Sequence, residues 1–152
     1  MPAPLASLAG RWHGTSRLVL SWKTPSEFRS ESTAEVRRVA GGRAVTVTYT
    51  WAHEGKPCEG FLLVARDGAS DAAHVTWMDS WHQRDRPMHS AGTVDPRGGV
   101  EVRGSYPAPP GPDWGWRTLL APTDDGGFTL TMYNVAPDGA EELAFENVYG
   151  RE

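Results

Sequence analysis

The densest chemistry in the chain lies in Trp77-Met78-Asp79-Ser80-Trp81-His82, with a second histidine, His89, shortly after. A carboxylate set between two indoles and drawn out of water must be paired, hydrogen-bonded or protonated. Asp79 can therefore anchor a ligand's polar group, act as an acid or base, or belong to a closed structural network. His82 is the other acid–base candidate. A tight turn centred on Asp85 and Arg86 would set His82 directly opposite His89 on one face of a hairpin. Two imidazoles are weak metal candidates, because a zinc site takes three or four ligands. No metal or cofactor is expected, and no residue is assigned as catalytic.

Further side chains can serve the same site. Trp51, Trp77, Trp81, Trp114 and Trp116 supply apolar area, and Tyr49, Tyr133 and Asn134 supply hydrogen bonds. Arg117 can grip a carboxylate in bidentate fashion or form a surface ion pair. His13, His53 and His74 are isolated. Cys58 is the single cysteine, so no internal disulfide forms, and it reads as a small core residue. No phosphate-binding glycine loop, nucleophile elbow or zinc-protease motif is present.

These residues need elements to position them, and the pattern is strand-like almost throughout. Period-two alternation over Val45, Val47, Tyr49 and Trp51 leaves Thr46, Thr48 and Thr50 on the other face. The same rule groups Trp77, Asp79 and Trp81, and it sends Met78, Ser80 and His82 to the opposite side. It also groups Trp12, Gly14, Ser16, Leu18, Leu20 and Trp22, and Leu143, Phe145, Asn147 and Tyr149. Ten strands are predicted: Arg11–Lys23, Phe28–Val39, Arg43–Ala52, Cys58–Arg66, Ala73–His82, Met88–Val94, Val100–Tyr106, Trp114–Ala121, Phe128–Val135 and Glu141–Tyr149. Turn signals such as Glu54-Gly55, Asp67-Gly68 and Asp125-Gly126-Gly127 separate them. Residues Pro4 to Ala9 are expected to form one or two helical turns before Gly10. Pro107-Ala108-Pro109-Pro110-Gly111-Pro112-Asp113 reads as a stiff, extended link, either a plain crossover or a rim that sets Trp114, Trp116 and Arg117 at a barrel mouth.

Short antiparallel strands with hairpin links favour one all-β, up-and-down barrel over residues 1–152, since closure removes the sheet edges. An open sandwich is the alternative. Polar residues such as Ser16, Asp79 and Asn147 on presumed inward faces suggest a lumen rather than a solid core. The net charge of −4, with arginines scattered, argues against nucleic-acid binding. No stretch matches a membrane span or a signal peptide, so a cytoplasmic, soluble protein is expected.

Gly10-Arg11-Trp12-His13-Gly14 resembles the Gly-x-Trp signature of the calycins, the superfamily of lipocalins, fatty-acid-binding proteins and nitrobindins. The resemblance implies a Trp12 that closes one barrel end and an Arg151 packed upon it. Three longer segments are similar to a bacterial family catalogued as domain of unknown function fifteen-seventy-nine. They are Trp77 to His82, Tyr106 to Arg117 and Met132-Tyr133-Asn134, and the likeness runs from about Leu8 to Arg151. It implies a calycin-like barrel and brings no activity. Only Thr24 to Glu27 lies between the first two strands, so the helical lid of the fatty-acid-binding proteins is absent. The last histidine is His89, so the late histidine by which nitrobindins hold haem is absent too.

The leading expectation is a barrel that binds a small, partly apolar molecule in its lumen. The alternatives are an enzyme that uses Asp79 or His82 as acid or base, and a structural or interaction module, such as a homodimer joined through an outer face.

Overall fold

The structure is a computed structural model that describes residues 3–83 and 85–151. One helical turn, α1 (Ala3–Ala6), comes first, and the bonds Leu8 N–H to Leu5 O and Ala9 N–H to Ala6 O bring the chain to Gly10. The expected helix thus amounts to a single turn. Ten strands follow: β1 (Gly10–Val19), β2 (Glu27–Val39), β3 (Ala44–His53), β4 (Lys56–Arg66), β5 (Ala72–Asp79), β6 (Met88–Val94), β7 (Val100–Tyr106), β8 (Trp114–Pro122), β9 (Phe128–Val135) and β10 (Glu141–Arg151). A short 3-10 turn, Ala40–Gly42, joins β2 to β3.

Every strand pairs antiparallel with its sequence neighbour, and β1 also pairs with β10, so the sheet closes into an up-and-down barrel. Closure brings the backbones of β1 and β10 very near each other at Gly14. A Cβ there would lie 2.8 Å from the carbonyl carbon of Val148 and closer still to its oxygen. Only glycine fits such an approach.

One end of the barrel is filled. Trp12, Phe128 and Tyr149 are buried, with Trp12 edge-on to Phe128 at 5.2 Å and Phe128 against Tyr149 at 4.8 Å. The Trp12 indole N–H donates to Leu8 O at 2.8 Å, and the Arg151 guanidinium lies 4.1 Å from the indole centroid. That places Arg151 on Trp12 as the resemblance implied. Above this plug, Leu62, Val64, Leu130, Met132 and Phe145 fill the middle of the lumen. Two interior polar residues are drawn into a small network here. Asn147 donates to the Tyr149 hydroxyl at 2.8 Å, and Ser32 shares a 2.7 Å bond with the same hydroxyl.

The alternation fails in three places, all near the other end. β1 stops at Val19, and Trp22 sits 73% exposed in the following turn rather than on the inward face. The bond Leu20 N–H to Ser26 O closes that turn instead of extending the ladder. In β10 the register shifts between Leu143 and Phe145, so Glu142 comes opposite Asn134 and Leu143 opposite Tyr133. One extra residue in a strand exchanges the faces on either side of it. β5 ends at Asp79, three residues before the expected His82. The proline-rich link also departs from an extended path, because Gly111 N–H bonds to Ala108 O at 3.1 Å and makes a turn.

Candidate functional site

Asp79 is 1% exposed and stands at the end of β5, where its partners on three strands converge. Register sets Tyr49, Gly60 and Asp79 side by side across β3, β4 and β5. Residues two strands apart are separated by about 10 Å, too far for direct neighbours. Gly60 has no side chain, so the Tyr49 ring lies over it and reaches across. The Tyr49 hydroxyl donates to Asp79 Oδ2 at 2.7 Å and accepts the Trp77 indole N–H at 2.9 Å. Trp51 Nε1–H donates to the same Oδ2 at 3.1 Å.

The other oxygen shapes the chain beyond the strand. Asp79 Oδ1 accepts the backbone N–H of Trp81 at 2.9 Å and that of His82 at 3.2 Å. An aspartate that accepts from residues just ahead of it folds the chain into a turn. Gln83 then stands in for a missing strand partner. Its Oε1 accepts Asp79 N–H at 2.8 Å, and its Nε2 donates to Trp77 O at 3.0 Å. Burial alone raises the Asp79 pKa. Contact with His82, the Tyr49 hydroxyl and the Trp81 amide outweigh it and hold the carboxyl below its ordinary value. The same burial, with the Asp79 charge, keeps the Tyr49 hydroxyl well above the usual tyrosine range.

The turn carries the His82 ring back inward. It packs among Trp51, Trp77, Trp81, Trp116 and Phe145, with centroids 5.6, 5.3, 4.9, 5.7 and 5.0 Å away. Its Nδ1 stands 3.2 Å from Asp79 Oδ1, off the line of a hydrogen bond. The expected pairing of His82 with His89 is therefore corrected. Register places Thr76 opposite His89, whose Nδ1 meets the Thr76 hydroxyl at 3.0 Å on the exposed surface. Strand parity failed for His82 because the residue is not in a strand. Among the described residues, no group of three or more metal-ligating side chains gathers.

These indoles form the floor of a cavity of about 490 Å³ at the open end of the barrel. Trp77, Trp81, His82 and Trp116 line it, with Leu18, Leu20 and Met88 on the sides and Tyr106 and Asn134 joined by a 2.5 Å bond. Trp77 and Trp116 stack with planes 13° apart at 5.3 Å. The exposed Trp22, Arg86 and Glu142 stand at the mouth. A groove of about 680 Å³ also crosses the outside of β2 to β5, lined by Thr33, Glu35, Thr48 and Glu59. It lacks the convergent indoles that line the lumen cavity.

The sequence-expected residues therefore divide. Trp77, Trp81, Trp116 and Asn134 line the cavity. Tyr49, Trp51 and Asp79 lie behind its floor, where Asp79 is sealed by its own hydrogen bonds rather than left open to a ligand. Trp114 is half-buried at the start of β8 and does not line the cavity. Arg117 and Tyr133 face outward, with the guanidinium 4.3 Å from the tyrosine ring and bound to both Glu141 carboxylate oxygens at 2.9 and 3.0 Å. For Arg117 the surface ion pair is the observed alternative. Alternation alone puts Tyr133 and Asn134 on opposite faces. Sequence reasoning did not place Met88, Tyr106, Gln83 or Glu142 at the site. Tyr106 was findable from strand parity in β7, but Glu142 depends on the β10 bulge.

A family profile described as "Protein of unknown function (DUF1579)" matches residues 3–151. The chain belongs to this family. Among solved structures, the barrel is similar to Rv2717c from M. tuberculosis, with a TM-score of 0.65 over 100% of this chain and 99% of that one. At 15% sequence identity the likeness is one of fold alone. Among curated proteins, none matches the chain. No helix among the described residues is long and apolar enough to cross a membrane.

Proposed function

We propose that the protein binds a small, partly apolar molecule in the cavity at the open end of its barrel. The observation that carries this reading is the cavity itself: about 490 Å³ with an indole floor, within the range of small-molecule sites. Buried side chains occupy the opposite end and middle of the lumen, so the ligand is held against Trp77, Trp81 and Trp116 and enters past Trp22. Aromatic walls provide area, and Asn134, Tyr106, His82 and Gln83 provide orientation. Asp79 acts at one remove, as a positioning residue for the turn that carries Trp81 and His82.

Native mass spectrometry of protein purified without additives tests the reading, with tryptophan fluorescence titrations against a panel of aromatic and aliphatic metabolites. Ala144→Trp fills the cavity from β10 without touching the Asp79 network. Binding that is present in the parent and lost in Ala144→Trp supports the site. Binding that persists unchanged in the variant places the ligand elsewhere.

A further inference from the structure

Strand β10 carries three glutamates, and one of them differs from the others. Glu141 binds Arg117 at 2.9 and 3.0 Å and lies 3.6 Å from Arg103, and Glu146 lies 3.7 Å from Arg17. Glu142 lines the cavity instead, and its partner is the Ser21 hydroxyl, which donates to Oε2 at 2.9 Å. Among the described residues, no guanidinium or ammonium stands within ion-pair distance of Glu142. A carboxylate only accepts, so a donating or positively charged group is what completes it.

The walls around this carboxylate have the same preference. Four of the seven tryptophans, Trp22, Trp77, Trp81 and Trp116, line the cavity together with Tyr106. The face of an aromatic ring is the negative part of its quadrupole and attracts cations, indole most strongly. Two of the indoles flank Glu142 around the barrel. On one side Glu142 is opposite Asn134, and Asn134 is opposite Trp116. On the other, the Ser21 bond ties Glu142 to the turn that carries Trp22, the most exposed large hydrophobic side chain among the described residues. The Tyr106 hydroxyl gives its proton to Asn134 Oδ1, so it too has only lone pairs left to offer. Arg86, the one Lys or Arg among the lining residues, is exposed in the turn between β5 and β6, four strands round the barrel from β10. It follows Asp85 in the chain and reaches no carboxylate across the mouth. The net charge of −4 adds a field that favours a cation over an anion.

We infer that the cavity takes an organic cation, an ammonium carried on an apolar, ring-sized body. The body lies on the indole floor, and the ammonium stands at the mouth beside Glu142. This rests on the cavity being the binding site and adds the charge class of the molecule that it takes.

Calorimetric titration of the full chain with three probes of one shape tests both levels separately. 2-(1-Naphthyl)ethylammonium is a cation, 2-(1-naphthyl)ethanol is its neutral counterpart, and 1-naphthylacetate is an anion on the same two-ring body. The ammonium is expected to bind at least about fivefold tighter than either of the others, the ratio that a charge pair at an open mouth and a cation–π contact supply together. Added salt should narrow its lead over the alcohol. Glu142→Gln keeps an acceptor for Ser21 and removes the charge at an exposed position. It should weaken the ammonium by about threefold or more and leave the alcohol within about twofold. Equal affinity for ammonium and alcohol, the acetate tightest of the three, or an ammonium preference unchanged in Glu142→Gln overturns the inference and leaves the cavity reading standing. Ammonium binding that persists unchanged in Ala144→Trp is pairing with carboxylates elsewhere on the surface and overturns both. If none of the three binds, both fall.

Discussion

Gly60→Ala is the most exacting test of how the site is built. A Cβ at Gly60 would stand 2.5 Å from Cε1 of Tyr49, and closer still to its Cζ and hydroxyl oxygen. Carbon atoms rest at about 3.5–4.0 Å, so the ring must retreat by more than about 1 Å. The Tyr49 hydroxyl cannot then hold both its 2.7 Å bond to Asp79 and its 2.9 Å bond from Trp77. Overpacking of this kind costs about 1–3 kcal/mol. Loss of a hydrogen bond to a buried carboxylate adds about 1.5–3 kcal/mol. The total of roughly 2.5–6 kcal/mol lowers Tm by roughly 5–24 °C in a chain of this size. Urea unfolding followed by tryptophan fluorescence measures it. In a Tyr49→Phe background the hydrogen-bond part is already gone, so Gly60→Ala should cost only the overpacking part, about 1–3 kcal/mol. An equal cost in both backgrounds, or a cost below about 1 kcal/mol in the parent, would refute the account of Tyr49 reaching Asp79 across Gly60.

Three further outcomes follow from the same geometry. The Asp79 carboxyl is held below its ordinary value, so its contribution to stability is present above about pH 4 and is lost as pH falls through the lowered folded-state pKa. Asp79→Asn should be less stable at neutral pH and show a flatter acid limb in urea midpoints taken between neutrality and strong acid. Burial pushes the Tyr149 hydroxyl up to about 12, outweighing its bonds with Ser32 and Asn147, so the associated stability is intact below about pH 10 and declines as pH rises towards that value. Tyr149→Phe should remove that part of the alkaline decline, read by circular dichroism against tyrosinate absorbance. Gly14→Ala forces a Cβ into the Val148 backbone where β1 closes on β10, and should cost about 3 kcal/mol or more, with amide exchange rising first in those two strands.

Much of the fold is written in local patterning. Alternation in Val45 to Trp51 and turn residues such as Glu54-Gly55 specify strands and hairpins, because a strand's faces follow directly from parity. The Trp12–Arg151 contact was legible from a short motif and a late arginine. The site was legible only in part. Trp77 sits in a regular strand and parity placed it inward, whereas Trp116 was one of two candidates with Trp114 until the structure put it alone in the cavity. Trp81 also reached the cavity, yet by a turn rather than by a strand. Glu142 escaped prediction because a bulge breaks parity where it lies, and Trp22, grouped with the inward face of the first strand, is exposed because that strand ends early.

The stretch from Trp77 to His82 shows where sequence stops and tertiary structure begins. By itself the sequence determined that Asp79 and Trp77 share an inward face, and that Asp79 must then be satisfied. What satisfies it depends on register between strands far apart in the chain, since Tyr49 and Trp51 reach Asp79 only because Gly60 stands between them. Those bonds leave Asp79 Oδ1 free to gather the amides of Trp81 and His82, which ends β5 and swings the imidazole inward. Parity is a property of one strand. Closure of the lumen, and which buried groups remain unmatched within it, belongs to the whole barrel.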